Sequence, residues 1–226
     1  MLTSARTIGG LLLAVPIVSF LALSRFPSYD ARSRYFAGTY RTIVEAGDAH
    51  LVALVLFLVV ATILAVLALA LSRSPLLDAT SFLMVVIGGV AASAAGFALA
   101  AVIGLPVWWW ARQVADGSLS AAEAASRSAG LAGISQTALL MLGFGGLLIG
   151  MSALGVIAVV QRWVPRWLFW GTIVVVGAAV AYALATDGPA IWIGLGLLPM
   201  LWAFVFGLVL LIRGSFGLEE RAAEPA

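Results

Sequence analysis

Residues 80–110 read "TSFLMVVIGGVAASAAGFALAAVIGLPVWWW", an apolar stretch that carries no charged side chain. A helix needs about 20 mostly apolar residues to cross the hydrocarbon core of a bilayer, which is roughly 30 Å thick. This stretch would form a helix of about 45 Å at a rise of roughly 1.5 Å per residue. We therefore predict a membrane span that tilts, bends at Pro106 or projects into the headgroups.

Small residues recur at every fourth position of this span: Gly88, Ala92, Gly96, Ala100 and Gly104. Small side chains let the backbones of neighbouring helices approach closely in a membrane. The stripe is predicted to be one packing face within the chain, and a glycine-rich apolar stretch at 143–150 repeats its spacing at Gly146 and Gly150. The alternative is that Gly88, Ala92 and Gly96 form a docking face for another subunit or for a bound lipid, quinone or carotenoid.

The whole chain has the composition of an integral membrane protein. Of its 226 residues, 63% are hydrophobic and 10% are charged, whereas soluble domains are about 45–50% apolar and roughly 25% charged. The sequence predicts an all-α, polytopic transmembrane bundle of six helices, forming one integral membrane domain over residues 1–226. The spans are expected at about 7–24, 51–71, 80–110, 131–160, 167–185 and 191–212. The first span is expected to be retained, with cleavage as a signal peptide as the alternative.

Two connections between spans are longer than the others. The first, 25–50, is predicted to contain an amphipathic helix in the membrane interface. Apolar and aromatic residues recur there at near-helical spacing, at Tyr35, Phe36, Tyr40, Ile43 and Val44. In the second, 111–130, Ser120 and Glu123 have the spacing of a capping box, so a helix should begin there. That helix is expected either to continue into the fourth span or to kink at Gly130.

All twelve basic residues are arginine, which in a chain this rich in alanine and glycine is typical of a GC-rich bacterial genome. With alternating helices, one side receives Arg6, Arg73, Arg162, Arg166, Arg213 and Arg221. The other side receives Arg25, Arg32, Arg34, Arg41, Arg112 and Arg127. The first group lies mostly in short loops, where arginine best marks the cytoplasmic side. Both termini are therefore predicted to be cytoplasmic, in a bacterial cytoplasmic membrane.

Tryptophan is concentrated at the expected span ends, where a ring with an apolar body and a polar edge is favourable. These residues are Trp108, Trp109, Trp110, Trp163, Trp167, Trp170 and Trp192. Consecutive helical residues point about 100° apart, so the triple at 108–110 does not line one flat pocket. We interpret it as an interfacial anchor, with a ligand box as the alternative. Trp202, in mid-span, is expected to pack or to touch lipid.

The titratable residues Glu45, Asp48 and His50 lie close together in "EAGDAH" (45–50). Neither a helix nor a strand brings all three together, although an irregular turn at Gly47 could. We expect Asp48 to cap the second span, since acidic charge is favourable at a helix N-terminus. The alternatives are an acid–base or metal site formed by these residues, or a single axial His50 ligand to a chlorin or haem.

The deepest polar side chains are those of Ser135, Gln136 and Thr137, with Ser152 and Tyr182. They are predicted to form hydrogen bonds between helices. The alternative is a substrate or ligand site built around Ser135, Gln136 and Tyr182. No ionisable residue lies in the middle of a span, which disfavours ion pumps and proton-coupled transporters.

Missing residue types exclude several cofactors. The chain has no cysteine and no lysine, and it has one histidine. Iron–sulfur clusters, covalent retinal and bis-histidine haem within one chain are therefore excluded. No metal or other cofactor is predicted, with a bound lipid, quinone or carotenoid as the alternative. The net charge of +2 is too small to indicate a nucleic acid partner.

The segment "GFGGLLIGMSALGVIAVVQRWVPRWLFWGTIVVVGAAVAYALA" (143–185) joins two glycine-rich helices through a short loop. The loop ends in Pro165-Arg166-Trp167-Leu168. In this pattern and in its six-span outline, the chain resembles a family of uncharacterised bacterial six-helix membrane proteins, a domain of unknown function. The resemblance implies the fold and no activity.

These observations favour a non-catalytic multi-pass membrane protein, a subunit or scaffold that packs against membrane lipids and against another membrane protein or a second copy of itself. On this hypothesis, Gly96→Leu disrupts a complex. The first alternative is a permease or channel for a small neutral or lipophilic solute. The second is an enzyme that acts on lipid at the outer surface through His50 with Asp48 or Glu45.

Overall fold

The computed structural model of the chain describes residues 4–25, 43–128, 130–167, 169–171, 173, 174, 177, 181 and 190–216, and none of these residues forms a strand. In chain order the helices are α1 (Ala5–Arg25), α2 (Asp48–Ser72), α3 (Leu76–Ala79), α4 (Leu83–Ala115), α5 (Ala121–Ser128), α6 (Leu131–Thr137), a π-helical segment (Ala138–Phe144), α7 (Gly145–Val160) and α8 (Ala190–Arg213). Four stretches are long and apolar enough to cross a membrane: α1, α2, α4 and residues 138–160. The apolar part of α8, Leu198–Arg213, is shorter. The chain therefore has the helices of a membrane protein.

Each expected span except the fifth overlaps one of these helices. The count of six is not confirmed, because much of the predicted fifth span, 167–185, lies outside the described residues. Those of its residues that are described are helical. The predicted interfacial helix also lies largely outside the described residues. Tyr35, Phe36 and Tyr40 are not described, whereas Ile43 and Val44 are helical.

The long helices follow one another around a bundle. Helix α1 packs against α2 and α8, α2 packs against α4, and α4 packs against the whole of 131–160, which also contacts α8. The pair α2 and α4 is antiparallel, because Asp48 at the start of α2 contacts Arg112 near the end of α4. Helix α4 is about 50 Å long at roughly 1.5 Å per residue, so it exceeds the bilayer core as expected.

Two clusters of aromatic rings lie within the mostly aliphatic core. Phe97 of α4 lies between Phe57 of α2 and Phe144 of the π segment, with ring centroids 5.6 and 5.4 Å apart. Trp202 of α8 packs between Phe169 and Phe206 at 5.3 and 5.0 Å, and it is 4% exposed. The expectation that Trp202 packs is confirmed.

Glycines bring α4 and the 138–160 helix into backbone contact. A Cβ atom added to Gly89 would lie 2.5 Å from the Gly150 nitrogen and 2.7 Å from the Gly146 carbonyl oxygen. One added to Gly96 would lie 2.7 Å from the Cα atom of Gly143. No side chain fits at such distances. The prediction that the glycine-rich segment 143–150 serves helix packing is confirmed.

The predicted stripe, however, is not one packing face. Gly88 is exposed, and a Cβ atom there would meet nothing within 4 Å, whereas Gly96 faces Gly143 and Gly104 faces Leu54 of α2. The reason is geometric: four residues advance an α-helix by about 400°, so each step of the stripe turns about 40° around the helix. Over four steps the stripe passes from the outer surface of α4 to its inner surface.

Helices α1 and α8 form a second crossing of the same kind. A Cβ atom on Gly9 would lie 2.8 Å from the Gly207 carbonyl oxygen, and one on Gly207 would lie 2.7 Å from the Gly9 carbonyl oxygen. Farther toward the end of the pair, Gly214 lies against the Arg6 side chain. The helices are thus antiparallel, and Arg6 and Gly214 lie at the same end of the bundle.

The connection between α4 and the fourth span contains the expected helix. Ser120 accepts a hydrogen bond from the Glu123 backbone N–H at 3.2 Å, so the predicted cap of α5 is confirmed. The chain breaks at Gly130, whose φ of +89° is readily adopted by glycine. The helix was expected either to continue into the fourth span or to kink at Gly130, and the kink is confirmed.

A π-helical segment, Ala138–Phe144, divides the fourth span. Such segments are rare and occur mostly as short insertions within α-helices. Ser135 before it and Gly143 within it both face α4, as their hydrogen bonds show. In a continuous α-helix, two residues eight positions apart would point about 80° apart. The wider coil turns less per residue, which keeps both residues on the α4 side.

Candidate functional site

The three titratable residues Glu45, Asp48 and His50 differ in their exposure. His50 is 1% exposed in the interior, whereas Glu45 and Asp48 are exposed. Gly47 does adopt the irregular conformation that was considered, with φ +53°. Even so, no group of three histidine or acidic residues that could hold a metal occurs among the described residues. No observation supports their joint use in catalysis.

Asp48 is not the cap of α2 that we expected. Gly47 occupies the cap position and no side chain caps the helix, while Asp48 is the first helical residue. The carboxylate of Asp48 instead accepts a hydrogen bond from Arg112 at 3.0 Å. The cap geometry fails because Gly47 turns the chain in a left-handed conformation just before the helix. The expected acidic charge in the first turn is nevertheless present.

Asp48 and Arg112 line a small cavity where α2 meets the end of α4. Its volume is about 220 Å³, and Trp108 and Asp116 also line it. The Arg112 guanidinium lies 5.8 Å from the centre of the Trp108 ring, within the range of a cation–π contact. The side chains of Arg112 and Asp48 are 52% and 77% exposed. A pair this exposed contributes about 0–1 kcal/mol to stability, so it joins the two helix ends only weakly.

Two buried hydroxyl groups connect α4 to the fourth span. Ser135 donates a hydrogen bond to the Ala100 carbonyl at 2.8 Å, and Ser93 donates one to the Gly143 carbonyl at 2.6 Å. The prediction of an interhelical hydrogen bond is confirmed for Ser135. The other members of the proposed polar site, the Gln136 side chain and Tyr182, lie outside what the structure describes.

Small residues on the outward side of α4 form a second face, which Gly88 shares. We call Gly88, Ala91 and Ala95 the outer α4 face; all three are exposed. Larger exposed residues, Met84 and Leu99, lie at its two ends. Among the candidate ligand-binding residues, Gly88 therefore lies on the surface, Ala92 is half-buried beside it, and Gly96 is in the interior.

An apolar groove of about 470 Å³ adjoins this face between α4 and the fourth span. Leu99, Ile134 and Met141 line it, and all three are exposed. The outer α4 face and the groove together form a surface of small side chains beside a depression.

The tryptophans divide between anchoring and packing. Trp109, Trp167 and Trp170 are more than half exposed, as expected of residues that face the interface. Trp163 is 5% exposed, and its indole N–H donates a hydrogen bond to the Phe216 carbonyl at 3.0 Å. Trp163 is therefore not a lipid-facing anchor; it joins the chain after α7 to the chain after α8.

An arginine-lined cavity lies near Trp163, and sequence reasoning missed it. Arg162, Arg166 and Arg213 line it, and its volume is about 470 Å³. The signal in the sequence was the pair Arg162 and Arg166 in "QRWVPRW" (161–167), which was interpreted only as marking the cytoplasmic side. The third arginine comes from the end of α8, and no local pattern shows that it joins the other two.

No family model matches the chain, and no curated protein or solved structure matches it either. The resemblance to uncharacterised six-helix membrane proteins therefore stays a prediction.

Proposed function

We propose that the chain is a non-catalytic, six-span subunit of a bacterial cytoplasmic membrane, and that it assembles with a second copy of itself through the outer α4 face. The observation that carries the proposal is that Gly88 is exposed. A Cβ atom there would meet nothing within 4 Å, although the next residue, Gly89, is in backbone contact with α7. In the proposed assembly, a second copy packs closely against the outer α4 face, as the 138–160 helix already does against the inner side of α4.

A small-residue face favours association with another helix over contact with lipid alone. In membranes, small residues let helices approach closely enough for backbone contacts to accumulate. Two copies inserted in the same orientation have parallel α4 helices. A two-fold axis along the membrane normal would place Gly88, Ala91 and Ala95 opposite their counterparts, and such a self-complementary patch is what a symmetric dimer requires.

Six spans are supported by the ends of α7 and α8. Arg213 at the end of α8 donates a hydrogen bond to the carbonyl of Arg162, just after α7, at 3.2 Å. Both helices therefore end on the same side, which supports a further span between α7 and Ala190 in the proposed arrangement. Arg6 lies at this end too, and short basic loops favour a cytoplasmic location for it and for both termini.

The two alternatives have less support. The described interior is packed with apolar side chains, including Phe57 and Phe97, and Ser135 is engaged with a carbonyl of α4, so no observation favours a permease or channel. For the enzyme hypothesis, His50 is buried whereas Glu45 and Asp48 are exposed, which gives it less support than the exposed small-residue face gives the assembly.

Disulfide crosslinking in native membranes tests the dimer, because the chain has no cysteine of its own. We expect Ala95→Cys to give a crosslinked species of twice the 23.5 kDa monomer mass after mild oxidation. The matched control is Val55→Cys, which is 49% exposed on α2 outside the proposed interface and should stay monomeric.

A second variant separates association from folding. Ala95→Leu should abolish the dimer in light scattering of the detergent-solubilised protein while leaving the helix content and melting temperature of the monomer unchanged. A crosslink to a protein of another mass would show that the partner at this face is a different protein and not a second copy. Equal behaviour of Ala95→Cys and Val55→Cys would refute an interface at this face.

A further inference from the structure

The cavity between the ends of α7 and α8 is basic. Arg162, Arg166 and Arg213 line it, and among the described residues no carboxylate does. An arginine guanidinium carries five N–H donors in a planar fork that suits phosphate oxygens. The hydrogen bond from Arg213 to the Arg162 carbonyl uses one of these donors. The cavity thus brings donors from two separate parts of the chain to one place.

Arg162 occupies a position that normally belongs to glycine. After α7, the Trp163 N–H bonds to the Ala158 carbonyl at 2.7 Å and the Arg162 N–H bonds to the Val159 carbonyl at 3.1 Å. This is the pair of hydrogen bonds that ends a helix in the Schellman motif, in which the residue at the left-handed position is usually glycine. Arg162 has φ +57° and is the one described non-glycine residue with positive φ.

An arginine in a left-handed conformation is less stable than glycine would be there. Unfavourable backbone conformations of this kind persist mainly at functional sites. Arg162 therefore places a large cationic side chain where glycine would suit the turn better. Its place beside Arg166 and Arg213 in the wall of one cavity favours the binding of an anion there.

The surroundings indicate that the anion belongs to a lipid. The cavity lies where the apolar helix α7 ends, and Val159 and Val164 form part of its wall. Val160 and Trp167 nearby are 51% and 75% exposed, so apolar surface suited to acyl chains adjoins the arginines. Basic pockets between helices at the cytoplasmic surface are a recurrent mode of phospholipid headgroup binding.

We propose that Arg162, Arg166 and Arg213 bind the phosphate of an anionic phospholipid headgroup. The lipid would occupy the cleft between the ends of α7 and α8. It would add to the hydrogen bond between Trp163 and Phe216, which already joins the chain after α7 to the chain after α8.

Native mass spectrometry of the full-length protein in detergent tests this proposal, with titrations of phosphatidylglycerol, phosphatidylcholine and inorganic phosphate. We expect the wild-type protein to retain phosphatidylglycerol in preference to phosphatidylcholine. Arg162→Gly should lower the affinity for phosphatidylglycerol about fivefold. Without added lipid its melting temperature should be equal or higher, because glycine suits the left-handed turn. Arg166→Gln, away from that turn, should lower the affinity similarly.

The matched control is Arg73→Gln, because Arg73 is an exposed arginine that follows the C-terminus of α2 at the same end of the bundle. It should bind phosphatidylglycerol like the wild type. The proposal is overturned if Arg162→Gly and Arg166→Gln both retain full affinity, or if Arg73→Gln loses as much. If millimolar inorganic phosphate displaces the lipid completely, the site recognises free phosphate and the lipid assignment is wrong.

Discussion

The inner and outer faces of α4 are built from the same kinds of residue and have opposite surroundings. On the inner face, Gly89 and Gly96 touch the backbone of the fourth span, and Ser93 donates a hydrogen bond to it. On the outer face, Gly88 and Ala95 are exposed. A small residue in a membrane helix therefore shows that close approach is permitted, but only the rotation of the helix shows which neighbour makes the approach.

The adjacent residues Gly88 and Gly89 give the sharpest test of this comparison, with the largest expected effect. Gly89→Ala places a methyl group 2.5 Å from the Gly150 nitrogen, so the helices have to separate. Overpacking of this kind typically costs about 1–3 kcal/mol. Gly88→Ala should be neutral or stabilise by up to about 1 kcal/mol through the helix propensity of alanine. Unfolding of the monomer by sodium dodecyl sulfate in mixed micelles measures both, and equal destabilisation would show that the faces are misassigned.

The crossing of α1 and α8 offers a second adjacent pair with a somewhat smaller expected effect. A methyl group on Gly9 would meet the Gly207 carbonyl oxygen at 2.8 Å, whereas one on Gly10 would meet nothing within 4 Å. We expect Gly9→Ala to destabilise the protein by about 1–2 kcal/mol, and Gly10→Ala, like Gly88→Ala, to be neutral or slightly stabilising. The same titration applies. If both variants unfold like the wild type, α1 and α8 are farther apart than described.

The smallest effect is expected from the hydroxyl group on the inner face. Ser93→Ala removes the hydrogen bond to the Gly143 carbonyl while keeping the side chain small. Hydrogen bonds between membrane helices contribute on average about 0.6 kcal/mol, so a loss of that size is expected. Ser126→Ala, on the exposed side of α5, controls for the better helix propensity of alanine. A stability gain equal to that of the control would mean that the hydrogen bond contributes nothing.

The same comparison changes how Gly96→Leu should be understood. The sequence suggested this variant as a probe of a complex, but a side chain on Gly96 would collide with the backbone of Gly143. Gly96→Leu therefore tests folding and gives no information on assembly. Ala95→Leu, one residue away on the outer α4 face, is the informative variant.

Much of the fold could be predicted because its determinants are local. Apolar length located α1, α2, α4 and α8, the spacing of Ser120 and Glu123 located a helix start, and Gly130 marked the kink. The sequence did not show which face of each helix points inward, because that depends on the rotation of the helix about its own axis. A period of four departs from the helical period of about 3.6, and this difference decides that Gly88 faces outward whereas Gly96 and Gly104 face neighbouring helices.

The arginine-lined cavity could not be predicted for a different reason. Arg213 and Arg162 are far apart in sequence, and only the common end of α7 and α8 brings them together. In sequence they are topology markers, and in the structure they line one cavity. The signal that was present, a non-glycine residue at the position after α7 where glycine is usual, becomes visible only when the hydrogen bonds of that turn are known.

The π-helical segment has a consequence for how the chain tolerates changes in length. Ser135 and Gly143 both face α4 only because Ala138–Phe144 turns less per residue than an ordinary helix. Deleting one residue between them would let this segment tighten toward α-helical winding and absorb the change near the deletion. Helix α7 is already wound as an α-helix, so it cannot tighten to absorb a deletion. Removing one residue from its middle would rotate every later side chain by about 100° relative to the earlier ones. Natural insertions and deletions in this span should therefore cluster between residues 138 and 144.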